Sequence, residues 1–251
     1  MNRIARLFAP ARAAFFSILC AASASVGAEP NVVSDFVFGE DFEGVPACAA
    51  DAFAVGATTA AQSGSLGTAH RYFVKVRACS GSGAVLLGNA GAPASWTVSL
   101  DPGLVTLAGG AVALALLKVT VPTNGDSGIA VFDLTATNNS TTYHGSASLD
   151  IANEWIWHFA PDGTGSDQSK HRFPSSLTIK VGAKIRLFSD DTTDYHIIHA
   201  DGGAGLVHQN TGGLGLAAGQ EYDMTPSAPT TTGHIYCHTH GGPVTAVTVQ
   251  P

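Results

Sequence analysis

Residues that bind transition metals are concentrated in the C-terminal third of this 251-residue chain. Seven of its ten histidines lie between His171 and His240, together with Cys237. His240 follows Cys237 by three residues in a predicted loop between two strands, and His196 lies far upstream at the predicted end of another strand. A thiolate and two imidazoles in this pattern match the trigonal ligand set of a blue copper site, because sulfur and nitrogen ligands together suit both Cu(I) and Cu(II).

The cysteine count supports a special role for Cys237. Of the four cysteines, Cys20 lies in a predicted leader, which leaves Cys48, Cys79 and Cys237, an odd number for an oxidising compartment. Cys48 and Cys79 lie in the same N-terminal region and are expected to form a disulfide. Cys237 is then left for a metal, a partner or a reaction.

Residues 1–28 have the composition of a secretory signal peptide. Arg3, Arg6 and Arg12 precede an apolar stretch at 13–22, and small residues follow it. That stretch is too short to span a bilayer, and no later segment is long and apolar enough to do so. We therefore expect a periplasmic or secreted protein without a membrane span.

Composition narrows both the fold class and the partners. Only 12% of the residues are charged and 29 are glycine, which favours short strands and turns, so the expected fold is all-β. With 12 Lys and Arg against 19 Asp and Glu, the chain would repel a phosphate backbone, so no nucleic acid is expected as a partner. No Ser-His-Asp order, carboxylate pair or glycine-rich phosphate loop points to an enzyme, although a copper site open to substrate could be catalytic.

Residues 29–153 are predicted to form a β-sandwich domain. Short apolar runs alternate there with turn sequences at 80–83, 101–103 and 124–126. The second half of this region resembles the immunoglobulin-like or fibronectin-like modules of bacterial exported proteins, which implies a sandwich fold and no particular function. A change of composition after residue 153 predicts a second domain at 154–251, with Trp155 and Trp157 packed at its start.

Four segments of the second domain form a specific combination. They are Phe173-Pro174 with the alternating stretch 177–182, then 194–199 with His196, then Leu216 to Tyr222, and finally Tyr236 to His240. Together, from about His171 to Pro251, they resemble a cupredoxin of the plastocyanin and pseudoazurin type. The resemblance implies a Greek-key β-sandwich that binds one copper per chain through His196, Cys237 and His240. It also implies single-electron transfer with a redox protein partner.

The chain departs from the family at the axial ligand. The family places a methionine a few residues after the second histidine, and this chain has none after Met224. Thr245 shares a strand face with Val247 and Val249 and should point inward, which makes it the candidate axial ligand. Because the axial ligand tunes the redox potential, the potential typical of the family does not carry over.

Two further histidines are alternative ligands. His199 lies three residues after His196 and could replace it. On a strand, His238 lies on the face opposite Cys237, so it is the weaker alternative and could instead serve a second metal. His208 follows a glycine-rich stretch and is expected at the surface.

Asp190, Asp191 and Asp194 are expected to form a solvated loop before His196.

Two alternative functions stay open beside electron transfer. One is copper binding or handling at a site that is not blue, which the missing methionine and the surplus histidines favour. The other is a metal-free extracellular binding module, which the sandwich at 29–153 favours.

Overall fold

Alternation of apolar and polar residues makes this an all-β chain, which confirms the fold class predicted from composition. The computed structural model describes Cys48 and residues 51–159, 173–192, 194–209, 215–239 and 244–251. These residues lie in one compact unit, Asp41–Pro251, and form fifteen strands in three sheets. No described segment forms a helix that could span a membrane. The predicted signal peptide and His240 lie outside the described residues.

The first sheet has four antiparallel strands in the order β1-β3-β7-β5. In chain order these strands are β1 (Phe53–Ala57), β3 (Ala69–Ala78), β5 (Thr97–Asp101) and β7 (Val112–Thr120). Cys48 and Cys79 form a disulfide beside this sheet. The bond joins the residues just before β1 and just after β3, where Phe53 and Ala78 are already paired.

The second sheet has seven strands in the order β13-β11-β9-β8-β4-β6, with β2 also paired to β9. Its strands are β2 (Ala61–Leu66), β4 (Gly83–Ala90), β6 (Leu104–Leu107), β8 (Gly128–Asn138), β9 (Thr141–Phe159), β11 (Lys184–Ser189) and β13 (Glu221–Met224). Strand β9 pairs antiparallel with β8 along its first part and parallel with β11 from Glu154 to Phe159. The boundary predicted at 153/154 therefore falls within β9, and the division into two sandwich domains stays a prediction.

The third sheet carries the C-terminal candidate residues. Its order is β10-β15-β14-β12, with strands β10 (Ser176–Lys180), β12 (Ile198–Asp201), β14 (Thr230–Cys237) and β15 (Thr245–Gln250). Strands β10 and β15 are parallel, and the other two pairs are antiparallel. Buried and more exposed residues alternate toward the end of β14, so Ile235 and Cys237 face the core while Tyr236 is half-buried.

Buried aromatic side chains join the sheets. Tyr72 of β3 meets Phe132 of β8 edge to face at 6.0 Å between ring centroids, so the first sheet packs on the second. Trp155 is buried, and its ring stacks on that of Trp157 at 5.7 Å, which fits the expected packing role. Phe159, at the end of β9, lies deep in the same continuous core.

Candidate metal centre

His196 is held by backbone contacts on both sides. Its amide N–H donates to the carbonyl oxygen of Leu216 at 3.1 Å, and its own carbonyl accepts from the Leu216 N–H at 2.7 Å. Next to this bridge, a Cβ on Gly215 would come within 2.9 Å of the His196 carbonyl oxygen. Glycine is therefore needed there for the two backbone segments to approach this closely. The result is a fully buried imidazole in a fixed position.

Cys237 approaches His196 from the third sheet. It is the last residue of β14, pairs in register with Ile198 of β12, and is 1% exposed. Its Sγ lies 3.7 Å from His196 Nδ1. The structure thus brings together two residues that are 41 positions apart in the chain.

This separation matches that of two ligands on one metal ion. With the bond lengths of zinc sites, about 2.3 Å to sulfur and about 2.0–2.1 Å to nitrogen, and an angle of about 110–120°, the two atoms lie about 3.6–3.8 Å apart. The observed 3.7 Å falls in this range without any movement of the side chains. Cys237 and His196 therefore fit a trigonal or tetrahedral metal site, and thiolate with imidazole is a donor set that copper accepts.

Asp191 orients the His196 ring. Its Oδ2 lies 3.2 Å from His196 Nε2, and both side chains are fully buried. An ionised carboxylate only accepts hydrogen bonds, so Nε2–H donates to it and Nδ1 is left as the unprotonated nitrogen that faces Cys237. Carboxylates that hold metal-binding histidines in this way raise the basicity of the ligand and fix its tautomer.

The prediction that Asp191 belongs to a solvated loop is wrong. Asp191 is 1% exposed, whereas its neighbour Asp190 is exposed and accepts a hydrogen bond from His158 Nδ1 at 2.8 Å. The Asp191 Oδ1 also accepts from the Asp194 N–H at 3.2 Å, so the carboxylate closes the turn that leads into His196. The loop directs one of its acidic side chains inward because His196 supplies a buried partner.

Phe159 covers one face of the His196 ring. The two rings are stacked, with centroids 4.6 Å apart and planes at 11°. Phe159 is itself held by an edge-on contact with Phe173 at 5.1 Å. The imidazole is thus confined between an aromatic face, a carboxylate and a thiol, so rotation of the ring is blocked. The apolar spacing of β9 gave no sign of this contact, because Phe159 and His196 lie far apart in the chain and meet only in the folded structure.

Thr245 and His240 complete the predicted ligand set. Thr245 is 1% exposed, and its hydroxyl donates to the carbonyl oxygen of Pro174 at 2.6 Å. His240 lies outside the described residues, in the segment between β14 and β15.

The two alternative ligands lie on the other face of the third sheet. His199 pairs in register with Tyr236 and stacks on its ring at 4.5 Å, so it points away from the side of Ile198 and Cys237. His238 is exposed and follows Cys237 directly. Burial, followed by repulsion from His208 and His238, lowers the pKa of His199, and nearby Asp201 only partly opposes this.

No family model matches the chain, and no curated protein matches it. The solved structures similar to it include cupredoxins and immunoglobulin-like domains. A purple cupredoxin from Nitrosopumilus maritimus has 25% identity and a TM-score of 0.28, covering 38% of this chain and 98% of that one. A chimeric titin Z1Z2 protein has 16% identity and a TM-score of 0.28, covering 80% and 99%.

A family 123 glycoside hydrolase from Clostridium perfringens has 10% identity and a TM-score of 0.34. This match covers 43% of the chain and only 30% of the hydrolase, so the chain spans less than a third of that enzyme's length. At TM-scores this low, none of the three similarities identifies a shared activity.

Proposed function

We propose that this chain is an exported protein that binds one copper ion through His196, Cys237 and His240 and transfers single electrons to and from a redox protein. The observation that carries the proposal is the 3.7 Å separation of Cys237 Sγ and His196 Nδ1 in a fully buried setting. The cupredoxin-like ligand loop at Tyr236 to His240 supplies the third donor.

The surroundings of the two described ligands suit a one-electron site. A bound copper would supply the Cu(I)/Cu(II) couple, and sulfur with imidazole accommodates both oxidation states. Asp191 and Phe159 hold the His196 ring in one orientation, and β14 and β12 fix the backbone of Cys237. Since His196 and Cys237 are shielded from solvent, water has little access to them and the ligands need to move little between states.

Export is supported by the leader-like composition of residues 1–28 and by the disulfide of Cys48 and Cys79. A periplasmic or extracellular compartment allows that bond to persist. The formal charge of −7 suits a redox partner with a basic docking surface.

The substitution Cys237→Ser tests the proposed ligand set. A serine keeps the size of the side chain but removes the sulfur that gives rise to charge-transfer absorption. We expect the intense visible band of the copper-loaded chain to disappear in this variant. Retention of the band would show that a ligand other than Cys237 produces the colour.

A second candidate function is copper storage or delivery without electron transfer. The absence of a methionine after Met224 favours this function. The candidate axial ligand, Thr245, is a hard oxygen donor, and its hydroxyl already donates a hydrogen bond to the Pro174 carbonyl oxygen. Potentiometry separates the two functions. An electron carrier cycles reversibly between Cu(I) and Cu(II), whereas a delivery protein loses the metal in one of these states.

A further inference from the structure

Three histidines meet on the outer face of the third sheet, outside the centre of Cys237. His199, His208 and His238 each offer a nitrogen, and these nitrogens lie within 4.8 Å of one another. The ring centroids of His199 and His208 are 4.5 Å apart, and those of His199 and His238 are 5.7 Å apart. Neither strand pairing nor sheet packing requires three imidazoles at this place.

We propose that His199, His208 and His238 bind a second metal ion, a divalent cation of the Cu²⁺ or Zn²⁺ type. Three nitrogens on one such ion at about 2.0–2.1 Å lie about 3.3–3.6 Å apart. The three nitrogens lie within 4.8 Å of one another, so the most distant pair has to approach by at most about 1–1.5 Å. Rotation of two side chains is enough for a movement of that size.

The backbone shows which side chains move and which one stays. His199 lies on β12, in register with Tyr236 and stacked on its ring, so it is the fixed member. His208 lies in the loop after β12, and His238 lies just beyond the end of β14, where its N–H donates to the Ile197 carbonyl at 2.7 Å. Those two rings can turn toward His199 while their backbones stay in place.

An independent observation concerns His199 Nδ1. This atom is buried and has no hydrogen-bond partner among the described residues. Buried polar atoms in native proteins are nearly always satisfied by protein, water or an ion. A metal ion coordinated by His199 through Nδ1 would satisfy this atom.

The ligand types select the class of metal. The cluster has three imidazoles and no carboxylate, which suits Cu²⁺ and Zn²⁺ and disfavours Mg²⁺ and Ca²⁺. Three protein ligands also leave a fourth position for water or a small anion. Although His238 is the neighbour of Cys237, its ring groups with that of His199, which stacks on Tyr236 away from Cys237, so this second site is separate from the thiolate site.

Metal titration of the Cys237→Ser variant tests the second site without the thiolate. The purified full chain carrying Cys237→Ser is titrated with ZnSO₄ by calorimetry, and with CuCl₂ by electron paramagnetic resonance. We expect binding of both metals, with a wide copper hyperfine splitting and no intense visible band. In the double variant Cys237→Ser/His208→Ala, the affinity for Zn²⁺ should fall more than about 100-fold. Residues that only hydrogen-bond to a metal ligand already contribute about 10–100-fold to metal affinity, and His208 is proposed as a ligand itself.

The matched control is His234→Ala, which removes a histidine from the same outward face of β14. His234 is bonded to Asp201 at 2.9 Å and lies outside the cluster. The His234→Ala substitution should leave the affinity for Zn²⁺ and Cu²⁺ unchanged. Unaltered Zn²⁺ affinity in the His208→Ala variant, or equal losses in both variants, would overturn the second site. The blue band of the unsubstituted chain reports on the Cys237 centre alone, so failure of one proposal is distinguishable from failure of the other.

Discussion

The buried carboxylate of Asp191 determines how His196 presents its ring to Cys237. Its Oδ2 lies 3.2 Å from Nε2 and has no access to solvent. In the Asp191→Asn variant the amide accepts a weaker hydrogen bond and carries no charge, so His196 becomes a poorer and less well oriented ligand. We expect copper affinity to fall about 10–100-fold while the charge-transfer band remains, because Asp191 acts through His196.

Competition with a copper chelator measures this change. Asp190→Asn is the matched control, since Asp190 is exposed and bonds to His158 instead. Equal copper affinity in both variants would show that the bond between Asp191 and His196 does not position the ligand.

The hydroxyl of Thr245 contributes to stability whether or not it contacts copper. It donates to the Pro174 carbonyl oxygen at 2.6 Å from a buried position. Thr245→Val keeps the shape of the side chain but removes this donor, so we expect a loss of about 1–2 kcal/mol in the free energy of unfolding.

Urea denaturation of the metal-free chain measures the loss. Thr248→Val on the other face of β15 serves as the control and should change the midpoint little. An unchanged midpoint for Thr245→Val would mean that the Pro174 contact does not stabilise the fold.

At the residue scale, the sequence led to Cys237 and His196, which the structure places together, but not to the side chains that hold His196. These two residues were candidates because the segments around them resemble the ligand loop and a strand end of cupredoxins. Asp191 was not, because a loop with several acidic residues normally faces water, and its burial depends on the inward position of the His196 ring. The grouping of His208 with His199 depends likewise on the path of a loop, which no periodicity specifies.

At the scale of elements, the close approach of Gly215 to His196 links backbone packing to the metal centre. A Cβ at Gly215 would lie 2.9 Å from the His196 carbonyl oxygen and 3.1 Å from its nitrogen. In the Gly215→Ala variant one of the two backbone segments has to shift. We expect a loss of about 1–3 kcal/mol in stability, together with weaker copper binding.

Thermal unfolding with and without copper measures both effects. Gly109→Ala is the control, because the nearest atom to its added Cβ would be 3.9 Å away, an ordinary contact. If Gly215→Ala behaves like Gly109→Ala, the contact with His196 does not constrain the site.

Strands with clear alternation were predictable, and short or polar strands were not. The apolar residues of β10 recur at every second position within the alternating stretch 177–182, and the strand forms there; β11 has the same alternation. Strand β2 has the sequence AQSGSL, which lacks this pattern, and it becomes a strand by pairing in parallel with β9. Strand β9 is 19 residues long and continues past the predicted boundary at 153/154, because its last residues pair with β11.

At the scale of the whole molecule, the disulfide cross-links the first sheet. Cys48 and Cys79 are 31 residues apart, and their bond restricts the unfolded chain. We expect replacement of both cysteines by alanine to lower the free energy of unfolding by about 2–4 kcal/mol. The spectrum of bound copper should not change, because the disulfide flanks β1 and β3 of the first sheet, while Cys237 ends β14 of the third sheet and His196 bridges Leu216.

Urea denaturation and visible spectroscopy of the double variant test these two expectations together. A changed copper spectrum in a folded double variant would mean that the disulfide end of the molecule is coupled to the metal centre. An unchanged stability would mean that the pairing of β1 with β3 alone holds this edge of the sheet.

The most direct test of the copper centre is the visible absorption and electron paramagnetic resonance spectrum of the purified chain during copper titration. The geometry of Cys237 and His196 predicts an intense charge-transfer band and a narrow hyperfine splitting that saturate at one copper per chain at this centre. Copper that binds only as a pale complex, without the intense band at any ratio of copper to protein, would contradict coordination by the Cys237 thiolate.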